Sequence, residues 1–227
     1  MKAASEMKRL SRPAVKICGQ TRADDLWMCV RFGADIVGFV VDYPRPVPWN
    51  LDLQQASELI KSTPPSAKTC VVTGGATGKI LSLARELRPD YLQLHYGETP
   101  EETAYLCGEL RELGIRVIKA LSPGLPDLEQ AAVSFAATGV YALLLDPRTP
   151  DNAAHGAGTA SFAVYKKVAR AVSCPVFLAG GITSANVREA VRQTGAPLID
   201  LMTGVESSPG VKDRAKVAAL FAALADL

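Results

Sequence analysis

The chain has 227 residues and a mass of 24.1 kDa, which suits one domain with a large buried core. Hydrophobic residues make up 48% and charged residues 21%, so a disordered or collagen-like chain is excluded. The formal net charge of +2 comes without a long basic block, which argues against nucleic acid or an anionic membrane as the main partner.

No segment predicts a membrane span, a signal peptide or a metal site. Apolar runs stay well short of the roughly 18 residues that a bilayer crossing requires. Residues 1–13 are polar and are expected to form an N-terminal tail, followed by one domain over 14–227. The cysteines are odd in number, lack C-x-x-C spacing and do not cluster with the two histidines, so we expect free thiols in a reducing cytoplasm.

Eight short apolar segments alternate with eight helical patterns along the chain. The apolar segments, predicted as strands, are 15–17, 36–41, 68–72, 91–94, 116–120, 141–145, 175–179 and 198–200. The helices are predicted over 22–32, 53–61, 77–87, 100–113, 127–137, 162–172, 184–194 and 212–224. Thr21 is expected to cap the first helix, and Gly33, Gly114 and Gly139 end three of them.

Strict alternation of strand and helix predicts a parallel sheet with right-handed crossovers, and eight units allow that sheet to close. The predicted fold class is therefore α/β, a single (βα)8 TIM barrel. An open doubly wound sheet is the alternative, but the glycine fingerprint of a dinucleotide site is missing. The run from Gly74 to Lys79 resembles a nucleotide-binding loop only superficially, because Ile80 stands where Ser or Thr is required.

Two late strands run directly into glycine. The strand at 175–179 is followed by Gly180 and Gly181, and the strand at 198–200 leads to Gly204. Glycine lets a ligand approach the backbone closely, and the start of a helix attracts anions. In a βα barrel the loops after the seventh and eighth strands often hold a phosphate group, so these turns predict a phosphate site.

Other side chains with chemical potential also follow strands. Cys18, His95 and Asp146 come at strand ends, as does Asp200, and Arg45 lies in the loop after the second strand. Because the carboxyl ends of barrel strands surround one pocket, this set predicts acid–base chemistry on a phosphorylated substrate that carries a second anionic group. Taken alone, Cys18 also fits a buried apolar position, and Asp146 also fits a turn.

A buried ion pair is expected beneath the thiol. Lys16 is two residues before Cys18, so both side chains face the same side of the first strand. Asp200 ends the strand that lies beside the first one when the barrel closes. A buried lysine without a partner is costly, so we predict that Lys16 and Asp200 pair inside the barrel.

Several motifs of a known family fall in order along almost the whole chain. They are Lys16-Ile17-Cys18-Gly19 with Thr21, Gly33-Ala34-Asp35 with Gly38-Phe39, Gln93-Leu94-His95, Asp146, Leu178-Ala179-Gly180-Gly181-Ile182 with Asn186-Val187, and Gly204-Val205-Glu206 with Pro209-Gly210-Val211-Lys212-Asp213. In these motifs the sequence resembles the phosphoribosylanthranilate isomerases of tryptophan biosynthesis. The resemblance implies a cofactor-free Amadori rearrangement of N-(5'-phosphoribosyl)anthranilate by a cytoplasmic monomer or homodimer.

The resemblance also implies roles for individual residues. Cys18 is expected to be the general base and Asp146 the general acid, while Arg45 holds the carboxylate of the substrate. No metal is implied. The residues expected to bind phosphate are Gly180, Gly181, Thr203 and Gly204, and those expected to support the site are Lys16, His95 and Asp200.

Three stretches depart from the family pattern. The loop at 42–48 is short before its arginine, the loop at 147–161 keeps only part of a glycine-rich run, and 201–203 replaces small serines. These departures leave two alternatives, a barrel isomerase acting on a different phosphorylated sugar and a noncatalytic protein that binds one. Within the leading hypothesis, His95 is expected to support the barrel mouth through hydrogen bonds, and Glu206 to order its loop.

Overall fold

The computed structural model describes residues 12–147, 161–225 and 227. Eight parallel strands form a closed ring, in which β1 (Ala14–Ile17) pairs with both β2 (Ile36–Val41) and β8 (Leu198–Leu201). The predicted (βα)8 barrel is therefore confirmed. The other barrel strands are β3 (Lys68–Thr73), β4 (Tyr91–Leu94), β5 (Arg116–Leu121), β6 (Ala142–Leu145) and β7 (Val176–Ala179).

Helices pack around the outside of this ring. Among the described residues, none of them is both long and apolar enough to cross a membrane. The helices are α1 (Ala23–Phe32), α2 (Leu53–Ser62), α3 (Thr77–Leu87), α4 (Pro100–Glu112), α5 (Leu128–Ala136), α6 (Phe162–Ala171), α7 (Val187–Thr194) and α8 (Arg214–Ala225).

The barrel strands are covered on both faces, which explains their nearly continuous apolar sequences. In β2, Val37 and Phe39 pack between the sheet and the helices. Ile36 and Val40 pack inside the barrel, as does Cys18 after β1. Alternate residues of a strand face opposite sides of the sheet. A residue just after a strand therefore faces the barrel mouth when it lies two positions after an inward-facing residue.

Helix α7 begins at Val187, so its predicted start at residue 184 is wrong. The preceding residues instead form a turn around the side chain of Asn186. Its Oδ1 accepts from Thr183 N at 2.8 Å, and its Nδ2 donates to Gly181 O at 2.8 Å. The asparagine therefore ties the helix start to the glycine turn after β7, which bears on the candidate site.

The segment between β8 and α8 contains structure that the sequence did not predict. Thr203–Val205 is a short 3-10 helix, and Glu206–Ser208 pairs with Val211–Lys212 in an antiparallel hairpin. Since Lys212 belongs to the hairpin, α8 begins at Arg214 and the predicted start at residue 212 is wrong. A further short strand, Asn50–Leu51, adds to the edge of β2.

Thr21 does not cap α1, so this prediction is also wrong. Arg22 occupies the cap position without a side-chain hydrogen bond. The Thr21 hydroxyl donates instead to Gly210 O at 2.6 Å. Because Gly210 lies in the turn of the hairpin, Thr21 connects the first loop of the barrel to the last.

The predicted N-terminal tail falls largely on residues 1–11, which lie outside the described part of the chain. Arg12 is bound to the turn before β2, where its guanidinium donates to Asp35 Oδ2 at 2.7 Å and to Gly33 O at 2.8 Å. The chain is thus already attached to the barrel before β1 begins.

Helix α4 begins with a capping box that one substitution should weaken. Thr99 Oγ1 accepts from Glu102 N at 3.2 Å, and Glu102 Oε2 accepts from Thr99 N at 2.9 Å. We expect Thr99→Ala to lower the free energy of unfolding by about 1 kcal/mol, measured by urea denaturation. The control is Ser134→Ala within α5, which should cost nothing because alanine favours helix interiors. Equal unfolding free energies for the two variants would contradict the capping role.

Candidate active site

The thiol of Cys18 occupies space that a glycine on the neighbouring strand leaves open. A Cβ added at Gly38 would lie 2.8 Å from Cys18 Sγ and 3.1 Å from its Cα. The backbone on either side of the sulfur is also held, since Cys18 N donates to Leu201 O at 2.8 Å and Cys18 O accepts from Lys212 Nζ at 2.6 Å. The thiol is therefore confined between β2 and the end of β8.

Lys16 and Asp200 form the predicted ion pair inside the barrel. Lys16 Nζ lies 2.8 Å from Asp200 Oδ1, both side chains are buried, and the two residues are in register between β1 and β8. Burial opposes the charged form of Lys16, but the attraction of Asp200, with smaller contributions from Cys18 and Cys70, outweighs it and raises the lysine pKa above its ordinary value. The predicted pairing is confirmed, and the lysine stays charged near the thiol.

Asp146 comes just after β6, two residues after the inward-facing Leu144, so it also faces inward. Its side chain is only 1% exposed, and His95 Nε2 lies 3.9 Å from its Oδ2. Asp146 and Cys18 thus both face inward at the carboxyl ends of strands in one closed ring. They therefore lie at the same mouth of the barrel.

His95 is oriented by its neighbour on the same strand. Gln93 Nε2 lies 2.9 Å from His95 Nδ1, a hydrogen bond whose direction depends on the tautomer of the ring. The other ring nitrogen, Nε2, lies on the side of Asp146. The backbone is held as well, because Tyr43 Oη donates to His95 O at 2.7 Å. This geometry fits the supporting position expected of His95.

The turns after β7 and β8 meet backbone to backbone around a small pocket. Gly180 and Gly181 have φ values of 85° and 61°, the left-handed region that favours glycine. A Cβ at Gly204 would lie 1.8 Å from Ile182 O, so no larger residue fits there without displacing the other turn. We call this the glycine pocket; its lining residues are Gly180, Gly181, Ile182, Asp200, Leu201, Met202, Thr203 and Gly204.

A carboxylate in the lining of a phosphate pocket would ordinarily repel the ligand. Asp200 lines the glycine pocket, but its charge is balanced by Lys16 at 2.8 Å. The ion pair therefore leaves the pocket without a net negative side chain, and glycine turns of this kind suit an anion such as phosphate. The four predicted phosphate-binding residues do come together in this pocket.

Arg45 lies in an exposed loop at the barrel mouth. The loop is fixed at its start, where Tyr43 N donates to Asn50 Oδ1 at 2.9 Å and Lys79 Nζ donates to Asp42 O at 2.6 Å. The role predicted for Arg45, binding of a substrate carboxylate, stays a prediction. Residues 148–160 of the second altered loop lie outside the described residues.

The remaining cysteines do not have the surroundings of reactive thiols. Burial raises the pKa of Cys29 to about 11, of Cys70 to about 12 and of Cys107 to about 11. All five cysteines are free, as expected from their spacing. Across the described ranges, no group of three or more His, Cys, Asp and Glu side chains is arranged to hold a metal ion.

Glu206 and Lys212 are structural parts of the mouth that the sequence indicated only as a motif. Glu206 Oε1 accepts from Lys212 Nζ at 2.6 Å and from Gly210 N at 3.3 Å, so the carboxylate orders its own hairpin, as predicted. The contact of Lys212 with the Cys18 carbonyl was missed, as was the space at Gly38. Both contacts join distant parts of the chain, and only the family motif pointed to these residues.

The fold and these groups define a class of protein. It is a (βα)8 barrel that gathers a thiol, a carboxyl group and a glycine pocket at the carboxyl ends of its strands. That arrangement is the usual place for a barrel enzyme to bind and transform a small molecule.

Comparison with known proteins identifies the family. The family model described as N-(5'phosphoribosyl)anthranilate (PRA) isomerase matches residues 15–223. An N-(5'-phosphoribosyl)anthranilate isomerase from Halobacterium salinarum is 38% identical over 213 residues, which cover 92% of this chain and 94% of the relative. The chain belongs to the N-(5'-phosphoribosyl)anthranilate isomerase family, and the resemblance in the motifs is confirmed.

Solved structures agree with this assignment. Phosphoribosyl anthranilate isomerase from Thermotoga maritima matches with a TM-score of 0.81 and 29% identity, covering 95% of this chain and 100% of that chain. A second structure, of the isomerase in complex with reduced 1-(o-carboxyphenylamino)-1-deoxyribulose 5-phosphate, matches with a TM-score of 0.76 and 27% identity over 95% and 100% of the two chains. The ligand named there carries both a phosphate and a carboxylate.

The Lys16–Asp200 pair gives a test that requires no substrate. Lys16→Met removes the ammonium group that balances the buried charge of Asp200, so we expect the free energy of unfolding to fall by about 3–5 kcal/mol in chemical denaturation. The matched control is Lys16→Met combined with Asp200→Leu, which removes both charges and should regain most of the loss. If the double variant is no more stable than the single one, packing and not charge explains the effect.

Proposed function

We propose that this protein catalyses the isomerisation of N-(5'-phosphoribosyl)anthranilate to 1-(2-carboxyphenylamino)-1-deoxyribulose 5-phosphate in tryptophan biosynthesis, without a cofactor. One observation carries the proposal. Cys18 and Asp146 lie at the carboxyl ends of β1 and β6 of a single closed ring, and the glycine pocket lies at the same end. Membership in the family supports the choice of substrate.

The reaction needs an acid and a base at different atoms of one sugar. In this proposal Asp146 gives a proton to the ribose ring oxygen while the bond from that oxygen to C1' breaks, which leaves a Schiff base to the anthranilate nitrogen. Cys18, as thiolate, then removes the proton from C2', and the electron pair flows towards the nitrogen. The resulting enol takes up a proton at C1' and releases the proton of its C2' hydroxyl, which gives the aminoketose with the same atoms as the substrate.

The other side chains bind or support. The glycine pocket, including Thr203, takes the phosphate, and the planar guanidinium of Arg45 takes the anthranilate carboxylate. His95 supports the site beside Asp146, with its Nε2 3.9 Å from Asp146 Oδ2. The Lys16 ammonium attracts a thiolate at Cys18, while its ion pair with Asp200 keeps the phosphate pocket free of repulsion.

The partner in this proposal is the phosphorylated small molecule itself, handled in the cytoplasm. All the proposed side chains come from one barrel, so a monomer and a homodimer would each hold a complete site. The protein does not act on nucleic acid or on a membrane in this proposal, in keeping with its net charge of +2.

The direct test is turnover of freshly generated substrate by the purified protein. We expect Cys18→Ala and Asp146→Asn each to lower kcat by about 10²- to 10⁴-fold, because each removes one proton-transfer group. Cys174→Ala, a half-buried thiol outside the site, is the control and should match the wild type. Circular dichroism and thermal unfolding establish that the variants are folded.

Growth complementation in a tryptophan auxotroph lacking the isomerase tests the same proposal in cells. Wild-type turnover in either variant would remove the role assigned to that residue. A folded wild-type protein that binds ribose 5-phosphate but neither complements nor turns over the substrate would favour a different phosphorylated sugar.

Gly38 offers a test of how closely the thiol must be placed. Gly38→Ala puts a methyl group within 2.8 Å of the present position of Cys18 Sγ, so the sulfur has to move. We expect kcat to fall by about 100-fold, because displacements near 1 Å at reacting groups have effects of this size. Gly78→Ala in α3, where nothing lies within 4 Å, is the matched control. Similar kcat values for the two variants would show that the sulfur position tolerates the shift.

A further inference from the structure

Trp49 is a buried aromatic residue in a loop that is otherwise largely exposed. It follows the segment Arg45-Pro46-Val47-Pro48, and its side chain is only 3% exposed. Its indole Nε1 donates to both carboxylate oxygens of Glu206, at 3.0 and 3.3 Å. A loop carrying a predicted substrate-binding arginine is thus anchored to a charged group on the opposite side of β1.

The same carboxylate is connected to the thiol. Glu206 Oε1 accepts from Lys212 Nζ at 2.6 Å, and that ammonium also donates to Cys18 O at 2.6 Å. The lysine and the glutamate are both nearly inaccessible to solvent. We call Trp49, Glu206, Lys212 and the Cys18 carbonyl the Glu206 network.

The indole itself packs against the turn that follows the thiol. A Cβ at Gly19 would lie 2.8 Å from Trp49 Cδ1 and 2.7 Å from Met202 Sδ. Gly19 has a φ of 68°, so a glycine suits both the backbone conformation and the close approach of the two side chains. Trp49 therefore contacts the loops after β1 and β8 at once.

Fixing Trp49 also fixes Arg45. Pro46 and Pro48 lock their own φ angles and restrict the residues before them, which leaves little freedom between the arginine and the tryptophan. On the other side of Arg45, Tyr43 is held by its hydrogen bond to His95 O at 2.7 Å. The arginine thus lies between two anchored aromatic residues, each bound to a different part of the barrel mouth.

We propose that Trp49 is a positioning residue, whose hydrogen bond to Glu206 sets the distance between the carboxylate-binding Arg45 and the thiol and phosphate pocket. The inference rests on the proposed function, because it assigns Arg45 to a substrate carboxylate. It predicts that loss of the tryptophan hydrogen bond weakens the binding of ligands that carry both anionic groups. The binding of ligands that carry phosphate alone should hardly change.

The chain contains two tryptophans, which provides a matched pair of variants. Trp49→Phe keeps the aromatic packing and removes the N–H donor, while Trp27→Phe alters a half-exposed side chain on α1. For Trp49→Phe we expect KM to rise about tenfold and kcat to change by less than about threefold, as the loss of one hydrogen bond to a charged acceptor would produce. Trp27→Phe should match the wild type.

Isothermal titration calorimetry of two ligands distinguishes a positioning role of Trp49 from a general loosening of the barrel mouth. Trp49→Phe should bind the reduced product analogue about tenfold more weakly and ribose 5-phosphate within about twofold of the wild type. Equal weakening for both ligands, or unchanged binding of both, overturns the proposal. If the wild type binds both ligands but does not turn over the substrate, the proposed reaction is overturned. The comparison of the two binding affinities still tests the role of Trp49.

A fluorescence measurement covers the case in which Trp49→Phe does not fold. In Trp27→Phe, Trp49 is the only indole, and its quenching by acrylamide should decrease when the reduced product analogue binds. Ribose 5-phosphate should leave the quenching unchanged, because it carries no carboxylate for Arg45 to bind. An identical response to the two ligands overturns the coupling between Trp49 and the carboxylate end of the site.

Discussion

The ion pair between Lys16 and Asp200 lies where the ring of strands closes, between β1 and β8. Both charges are withdrawn from water, so neither residue is tolerable there without the other. Their pairing has two consequences at the mouth. A cation stays near the Cys18 thiol, and the carboxylate in the lining of the glycine pocket loses the net charge that would repel phosphate. In the proposed function, this one buried contact therefore serves both the base and the anion pocket.

The barrel mouth contains two further buried ion pairs. Lys212 pairs with Glu206 in the hairpin after β8, and Lys119 on β5 pairs with Glu98 in the loop after β4 at 2.7 Å. In both pairs the carboxylate also accepts backbone N–H groups, from Gly210 in one case and from Gly75 and Tyr96 in the other. Burial lowers the pKa of Lys119, and the attraction of Glu98 only partly offsets it. Such pairs contribute little net stability, and their evident effect here is to specify where each loop lies.

The candidate site accordingly combines a rigid floor with anchored loops. The thiol and the carboxyl group come from strand ends, where the closed sheet leaves little freedom. The groups proposed to hold the two ends of the substrate come from loops, which reach the strand ends through Trp49, Tyr43 and the hairpin after β8. In the proposed function, a substrate with a phosphate and a carboxylate is held at both ends while its C1' and C2' atoms face these groups.

The sequence by itself determined the eight strand-helix units, the order of the groups at the strand ends and the Lys16–Asp200 pair. The units and the order follow from local patterns, namely apolar periodicity and glycine at turns, and the pair follows from the alternation of side chains along a strand once eight strands close into a ring. The fold decided that Thr21 binds the last hairpin, that α7 and α8 start later, that Gly38 makes room for Cys18 and that Trp49 meets Glu206. The two residues of that last pair are 157 positions apart, and no local pattern marks either as the partner of the other. Contacts of this kind depend on how loops from different strands meet over the closed ring. Only the tertiary structure decides that arrangement.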